Sequence, residues 1–514
     1  MIEPPAIMVD TRTALYTVII ATVLLLVLSP KKTPTHRPPT VKQYPIVGSF
    51  FRYIGWLAKM HMPYYLLELH KDMGPIVVAD MFGRDFVIVA DPTAAKRILS
   101  SSTEFKRDDY LLKNSMDLFE YPLFGMATGE TWKAHRKLIQ TGMGPQFVRK
   151  AFTVTLEVME HLCRIFDEKI QNSSADEITV DIREYLSYST LDIIMATSFS
   201  IKMDSLANFV KAEESKTVVN KLGSLRSNID QLSGLLVYRL MVPPILHWFI
   251  GAAPSQVANV KMYFKELVDS FVNPRKEGIT QEEGDLLDIL LTKDEEGNYK
   301  LTDSELRDET LSILLAGHET TANALTNVFL ALCFNPQVLS RLLDEIDAHL
   351  PTITSELLFD DVSKFKYLDK VFRETMRHYP VVFAVDRMAQ TDVELMGYKF
   401  EKGTIFTVHF NGIHQSKEFW GDDVAEFNPD RFDREGNHDA NWFPFSAGLH
   451  ICPGMKMAIM ESKVILIKSL KQFSFELIPG QDFKHVHGVA MRLRNGLKLK
   501  VSKRKDGHLY ISLF

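Results

Sequence analysis

The stretch Phe443-Pro-Phe-Ser-Ala-Gly-Leu-His-Ile-Cys-Pro-Gly454 carries one of only three cysteines in a chain of 514 residues. Gly448, Pro453 and Gly454 bracket Cys452, and His450 stands two residues before it. A thiol in this setting can be a nucleophile, a zinc ligand, half of a disulfide, a ligand to another metal, or a small buried residue. Zinc takes about four protein ligands, usually in paired Cys or Cys/His spacing, and no second pair in the sequence matches His450-x-Cys452. Cys163, Cys333 and Cys452 are too few and too scattered for a disulfide framework, and they fit a reducing compartment. A Cys–His nucleophile stays open on spacing alone. A metal group that asks for a single protein donor needs one thiolate, a turn that exposes it, and backbone N–H groups to tune it. Glycines at 448 and 454 permit close backbone approach. Pro453 suits the first turn of a following helix, whose N-terminus stabilises a negative sulfur.

Working outward, the segment before this loop holds one long helical pattern. Thr302-Asp-Ser-Glu305 fits a capping box, and no proline interrupts from there to Asn335-Pro336. That distance predicts a helix of ~50 Å at 1.5 Å per residue. At its middle lies Ala316-Gly-His-Glu-Thr-Thr321, between the apolar runs LSILLAG and ANALTNVFLAL. Glycine and threonine weaken a helix interior, and a glutamate among apolar neighbours adds a cost. A kinked, polar midpoint is therefore expected, and breaks of local rules tend to mark function. Residues 75–92 read as two strands around Gly83-Arg84, residues 93–380 as mainly helical, and the runs 400–414 and 473–502 as more strand-like. The fold class expected is mainly α with small β-sheets.

The composition is globular, with 46% hydrophobic and 24% charged residues, and a net charge of −6 gives no case for nucleic acid. Residues 13–29, TALYTVIIATVLLLVLS, carry no charge and are mostly apolar. They span ~25 Å as a helix, at the short end for a membrane crossing. A cleaved signal peptide is the alternative, but no small-x-small cleavage site follows. Lys31, Lys32 and Arg37 follow the segment and place the bulk of the chain on the cytosolic side. Prolines at 30, 34, 38, 39 and 45 then favour a stiff spacer. The expected organisation is a short non-cytosolic tail (1–12), a transmembrane anchor (13–30), a Pro-rich linker (31–45) and one domain (46–514).

Phe445-x-x-Gly448-x-His450-x-Cys452-x-Gly454 resembles the haem-binding signature of the cytochrome P450 family, with histidine where arginine is usual. Four further elements follow the family's order. Trp132-x-x-x-Arg136 matches its W-x-x-x-R, and Ala316-Gly-x-Glu319-Thr320-Thr321 its oxygen-activation helix. Glu374-x-x-Arg377 matches its E-x-x-R, and Phe427-x-Pro429-x-Arg431-Phe432 its aromatic-x-Pro-x-Arg-Phe element. The resemblance covers most of the chain past the linker. It implies a cytochrome P450 fold with haem b between the long central helix and the cysteine loop, of the microsomal type.

The resemblance also implies roles. Cys452 is the expected proximal iron ligand, since thiolate pushes electron density onto iron and favours O–O cleavage. Thr320 and Glu319 are the expected alcohol–acid pair that handles protons for oxygen activation. Trp132, Arg136, Arg387 and His450 are the expected partners of the haem propionates. Glu374, Arg377 and Arg431 form a structural ion network. Cys163, Cys333 and His318 read as packing. The loop 105–125 and the apolar stretch 222–264 are expected to face substrate, the latter also membrane lipid.

The activity implied is a monooxygenase that inserts one atom of O2 into a lipophilic small molecule, a fatty acid, sterol, terpenoid or xenobiotic. Electrons are expected from NADPH-cytochrome P450 reductase, with a b-type cytochrome as a further candidate. Lys133, Lys137, Lys456 and Lys463 are candidates for the docking patch. The expected location is the endoplasmic reticulum membrane, single-pass, with the haem domain facing the cytosol. Two other readings stay open: a haem-thiolate isomerase or dehydratase acting on a peroxide, and a non-catalytic haem carrier or sensor.

Overall fold

A computed structural model describes residues 37–42, 48–49, 55–56, 61–81, 84–108, 118–214, 225–241, 254–279, 284–434 and 438–504. The expected anchor at 13–30 lies outside the described residues, as do parts of both substrate-facing stretches. Among the described residues no helix is long and apolar enough to cross a membrane. In chain order the principal helices are α1 (Met62–Met73), α2 (Pro92–Ser100), α3 (Glu130–Gly142), α4 (Pro145–Gln171), α5 (Ile182–Phe199), α6 (Ser205–Glu214), α7 (Leu225–Met241), α8 (Pro254–Lys276), α9 (Leu286–Leu290), α10 (Asp303–Phe334), α11 (Pro336–His349), α12 (Lys366–His378) and α13 (Met455–Gln472). The strands are β1 (Ile76–Met81), β2 (Arg84–Val89), β3 (Phe105–Lys106), β4 (Glu177–Asp181), β5 (Ala384–Ala389), β6 (Val393–Leu395), β7 (Tyr398–Phe400), β8 (Ile405–His409), β9 (Phe473–Leu477), β10 (His485–Val486), β11 (Arg492–Leu493) and β12 (Lys498–Lys503). The mainly α class with small sheets is therefore observed.

The chain forms two compact units, residues 1–105 with 384–412, and residues 106–383 with 413–514. The first unit is built on a sheet of order β1-β2-β8-β5-β3. β1 and β2 pair antiparallel, Ile76 opposite Val89, as the flanking hydrophobics around Gly83 predict. β2 and β8 pair in parallel across a sequence gap of some three hundred residues, which explains why sequence reading reaches only the hairpin. Val77, Val87, Val89, Phe406 and Val408 are fully buried along these strands.

The second unit is helical. α10 packs against α5, α12 and α13, and α13 packs against α4. Its capping box is present: Thr302 accepts from the Glu305 N–H, and the Glu305 side chain accepts from the Thr302 N–H. The helix is then continuous for 32 residues. A small antiparallel sheet, β4-β12-β9, closes one side.

Candidate active site

Three parts of the second unit contribute: the loop before α13, the middle of α10, and the start of α3. The cysteine loop turns through two left-handed residues, Ser446 at φ 62° and Gly448 at φ 67°. Glycine adopts that region without the penalty that Ser446 bears, so Gly448 is favoured by its conformation. Gly454 is not, with φ −83° and a Cβ there meeting only the Cys452 sulfur, at 4.0 Å. The Cys452 N–H donates to the Phe445 carbonyl at 3.0 Å and closes the loop. α13 starts at Met455 with Gly454 as its N-cap, so Pro453 precedes the helix instead of opening it. The N–H groups of Gly454 and Met455 donate to the sulfur, as a helix N-terminus does for an anion.

Cys452 is exposed, yet burial pushes its thiol up, against the pull of the Gly454 N–H, Arg136 and the Met455 N–H. An accessible sulfur that is also poorly hydrated lies on the floor of a concave recess. The thiol stays protonated on its own, and a bound metal cation reverses that balance. Cys163 and Cys333 differ: burial pushes each up to about 12, as expected of packing thiols.

From Leu311 to Leu332 every α10 residue is buried except Ala316, Gly317 and Thr320. These three lie on one side of the helix, at i, i+1 and i+4. An accessible stripe halfway along a buried helix is the wall of an internal cavity. Thr320 Oγ1 donates to the Ala316 carbonyl at 2.5 Å. Glu319 flanks the stripe. Its oxygens lie 3.8 Å from the Arg183 guanidinium and 3.5 Å from the Ser233 hydroxyl, and burial raises its pKa, partly offset by Arg183. His318 points the other way. Its Nε2 pairs with Ser187 Oγ at 2.8 Å, and burial holds it neutral, which is the packing role expected.

Gly317 has a steric reason. A Cβ there would stand 2.6 and 2.7 Å from Cδ1 and Cγ1 of Ile194 on α5, so the absence of a side chain is what lets α5 and α10 approach. Gly317→Ala is expected to destabilise the protein by ~1 kcal/mol, overpacking being partly offset by better helix propensity. Ile194→Ala, which removes both close atoms, should alone cost ~2–5 kcal/mol, yet when combined with Gly317→Ala it should recover part of that stability. Urea denaturation of the two single variants and the double variant checks the change of sign.

α3 brings Trp132, Arg136 and His450 together. The Trp132 and His450 rings lie 4.0 Å apart between centroids, tilted by 35°, and Arg136 donates to the Ile451 carbonyl at 2.6 Å. His450 Nε2 pairs with Thr128 Oγ1 at 2.8 Å. Burial lowers the Arg136 pKa, with Cys452 acting in the opposite sense. This cationic and N–H-bearing edge beside the cysteine loop fits a group with two carboxylates. Arg387 belongs to the first unit, on β5. It is buried, donates to the carbonyl of its neighbour Asp386 at 2.7 Å, and is pushed down to about 10 by burial. A guanidinium so poorly compensated is suited to an anionic partner.

Sequence reading missed several supports. His135, inside the W-x-x-x-R stretch, pairs with Glu309 at 2.7 Å and Glu305 at 3.3 Å, locking α3 to α10. Asp308 accepts the Glu120 and Tyr121 N–H groups at 2.7 and 2.8 Å and so fixes the end of the loop that precedes α3. The expected ion network is present and larger than the motif suggests. Glu374 receives Arg377 and Arg431, each at 2.9 Å, all three side chains fully buried. Arg377 also donates to the His414 carbonyl at 2.8 Å, and His414 Nε2 accepts the Phe443 N–H at 3.0 Å. The network thereby reaches the start of the cysteine loop. Lys463 is removed from the basic patch: it is buried and paired with Asp369 at 2.6 Å. Lys133, Lys137 and Lys456 are exposed.

A family model described as Cytochrome P450 matches residues 38–501. Carotene epsilon-monooxygenase, chloroplastic, of Arabidopsis thaliana is 31% identical, over 85% of this chain and 82% of its own length. Cytochrome P450 3A9 of Rattus norvegicus is 27% identical, over 77% of this chain and 78% of its own. Protein LUTEIN DEFICIENT 5, chloroplastic, of Arabidopsis thaliana is 27% identical over 85% of this chain and 74% of its own.

Proposed function

The chain belongs to the cytochrome P450 family, and from that premise we propose that it hydroxylates a lipophilic substrate at a membrane, with electrons from NADPH-cytochrome P450 reductase. It is a haem b oxidoreductase of the monooxygenase class. Bound haem supplies the iron at which O2 is reductively cleaved, with the thiolate favouring O–O cleavage.

The residues of this chain bind, orient and move protons. Cys452 holds the iron, and the Gly454 and Met455 N–H groups moderate its sulfur. Trp132, Arg136 and His450 would receive the propionates. Oxygen activation needs protons in a place with little water, and Thr320 and Glu319 supply them. The threonine hydroxyl turns from the Ala316 carbonyl to hold a proton toward the cavity, and the buried carboxyl reloads it. Burial raises the Glu319 pKa, which suits a group that takes up and gives back a proton. The observation that carries this reading is the stripe Ala316-Gly317-Thr320, the accessible part of an otherwise buried helix.

A lipophilic substrate is supported by the apolar stretch 222–264 and by the carotene in the name of one relative. Lys133, Lys137 and Lys456 are suited to an acidic redox partner. The anchor at 13–30 is proposed to hold the domain at the endoplasmic reticulum, facing the cytosol; carbonate extraction of isolated membranes tests that location.

Purified protein, reductase, NADPH and a panel of lipids test the activity. Substrate-dependent NADPH consumption with an oxygenated product is expected. Turnover on a hydroperoxide alone, with neither reductase nor O2, would instead identify an isomerase, and a thiolate-type CO spectrum with no product from any lipid would identify a carrier.

A further inference from the structure

Glu319 is buried, yet its nearest polar partners among the described residues stand at 3.5 and 3.8 Å. Arg183, which provides the 3.8 Å contact, is itself fixed. It lies on α5, is buried, and its Nε donates to Asn323 Oδ1 at 3.0 Å. Asn323 is one helical turn beyond Glu319 on α10. The guanidinium is thus pinned to the same helix as the carboxylate, held over it by charge and not by a hydrogen bond. Its NH1 is shared with Glu184 at 3.5 Å. Glu184 in turn accepts both terminal nitrogens of Arg226 at 3.2 Å, and Arg226 stands 3.5 Å from Asp230. Charges of alternating sign therefore form a row: Glu319, Arg183, Glu184, Arg226, Asp230. The arginines are buried, while Glu184 and Asp230 are 34% and 52% exposed. Guanidinium has no lone pair to accept a proton, so this row is no proton wire. It is an electrostatic mount.

We propose that Arg183 is a positioning residue for oxygen activation, holding Glu319 beside the Thr320 stripe by charge while leaving its carboxylate oxygens open to exchange protons, and that Glu184 sets the strength of that hold. The inference rests on the reading of Glu319 as the proton carrier. The groups facing Glu319 are Arg183 from α5, Ser233, Asp230 and Arg226 from α7, and Arg492 from β11. Burial raises its pKa first, Arg183 is the largest opposing influence, Asp230 adds to the rise, and Arg492 and Arg226 oppose it.

The test is an infrared titration of the haem-loaded full chain, subtracting Glu319→Gln to isolate the carboxylic acid band. Removing the neighbouring cation in Arg183→Gln should move the band's midpoint up by ~1 pH unit or more. Arg183→Lys should stay near the wild type. Glu184→Gln, a change at a partly exposed site, should move the midpoint down, because Arg183 is then shared with one anion fewer. The pH profile of product formed per NADPH consumed should follow the same midpoints. A midpoint unmoved in Arg183→Gln and Glu184→Gln overturns the inference, and Glu184→Gln decides alone if Arg183→Gln does not fold. A Glu319→Gln protein with the wild-type band and coupling profile overturns the reading of Glu319 itself, and this inference with it.

Discussion

Cys452→Ser is expected to abolish the thiolate-type absorption of the reduced, CO-bound protein and to bring O2-dependent turnover to background. The physical reason is the donor. A thiolate is soft and gives electron density to iron, whereas a serine hydroxyl is hard and far less acidic. The setting of the donor would survive, because the loop is closed by the Cys452 N–H to the Phe445 carbonyl and turned by Gly448, neither of which involves sulfur. Serine is close to cysteine in size and shape, so the haem-free fold should change by no more than ~1 kcal/mol. Loss of the band with an unchanged circular dichroism spectrum is the expected pair of results. A variant that kept the band would require a different sulfur. Cys163 and Cys333 are poorly suited, since their thiols, pushed up to about 12, resist ionisation.

Glu374→Gln should destabilise the protein by ~3–5 kcal/mol, because it leaves two buried arginines short of their anion. Arg377 and Arg431 reach Glu374 at 2.9 Å and direct their other donors to backbone carbonyls of His414, Val424, Trp420 and Asp423. Removing the charge thus loosens the segment 414–431 as well as α12. The same network fixes an acid limb of stability. Burial alone would raise Glu374, but its hydrogen-bonding partners bring it from 4.5 down to about 2. The arginines at 2.9 Å account for this better than His378 at 3.6 Å. A carboxylate with a depressed folded pKa contributes stability that is fully present above 4.5 and lost as pH falls towards 2. His414 adds a separate limb. Burial lowers it from 6.5 to about 3, so the unfolded chain binds its proton first and stability declines as pH falls below 6.5. His485, lowered to about 4 by burial, acts in the same direction. Urea titrations from pH 7 to pH 3 should show both limbs in the wild type. In Glu374→Gln the carboxylate limb should shrink, with other depressed carboxylates such as Asp347 and Glu305 still contributing, while the histidine limb remains.

The legible parts of this protein were those written locally. The capping box at Thr302, the β1–β2 pairing and the cysteine loop each lie within a short run of sequence, and each is found in place. What sequence did not reveal was set by partners far along the chain. Arg183 lies 136 positions before Glu319, and His135 174 positions before Glu309. Their companions are fixed only when α3 and α5 pack on α10. Lys463 looked like any surface lysine until Asp369 took it. Gly317 likewise answers a neighbour, Ile194, that lies far from it in sequence.

The accessible stripe on α10 also fixes how much room there is and who controls it. Ala316, Gly317 and Thr320 together present two methyl groups, a hydroxyl and bare backbone. A wall so thin takes almost no volume from the molecules that meet there, so it offers little with which to tell one hydrocarbon from another. Discrimination between guests then falls to whatever surfaces face the stripe. Enlarging Ala316 would therefore shrink the chamber for every guest alike.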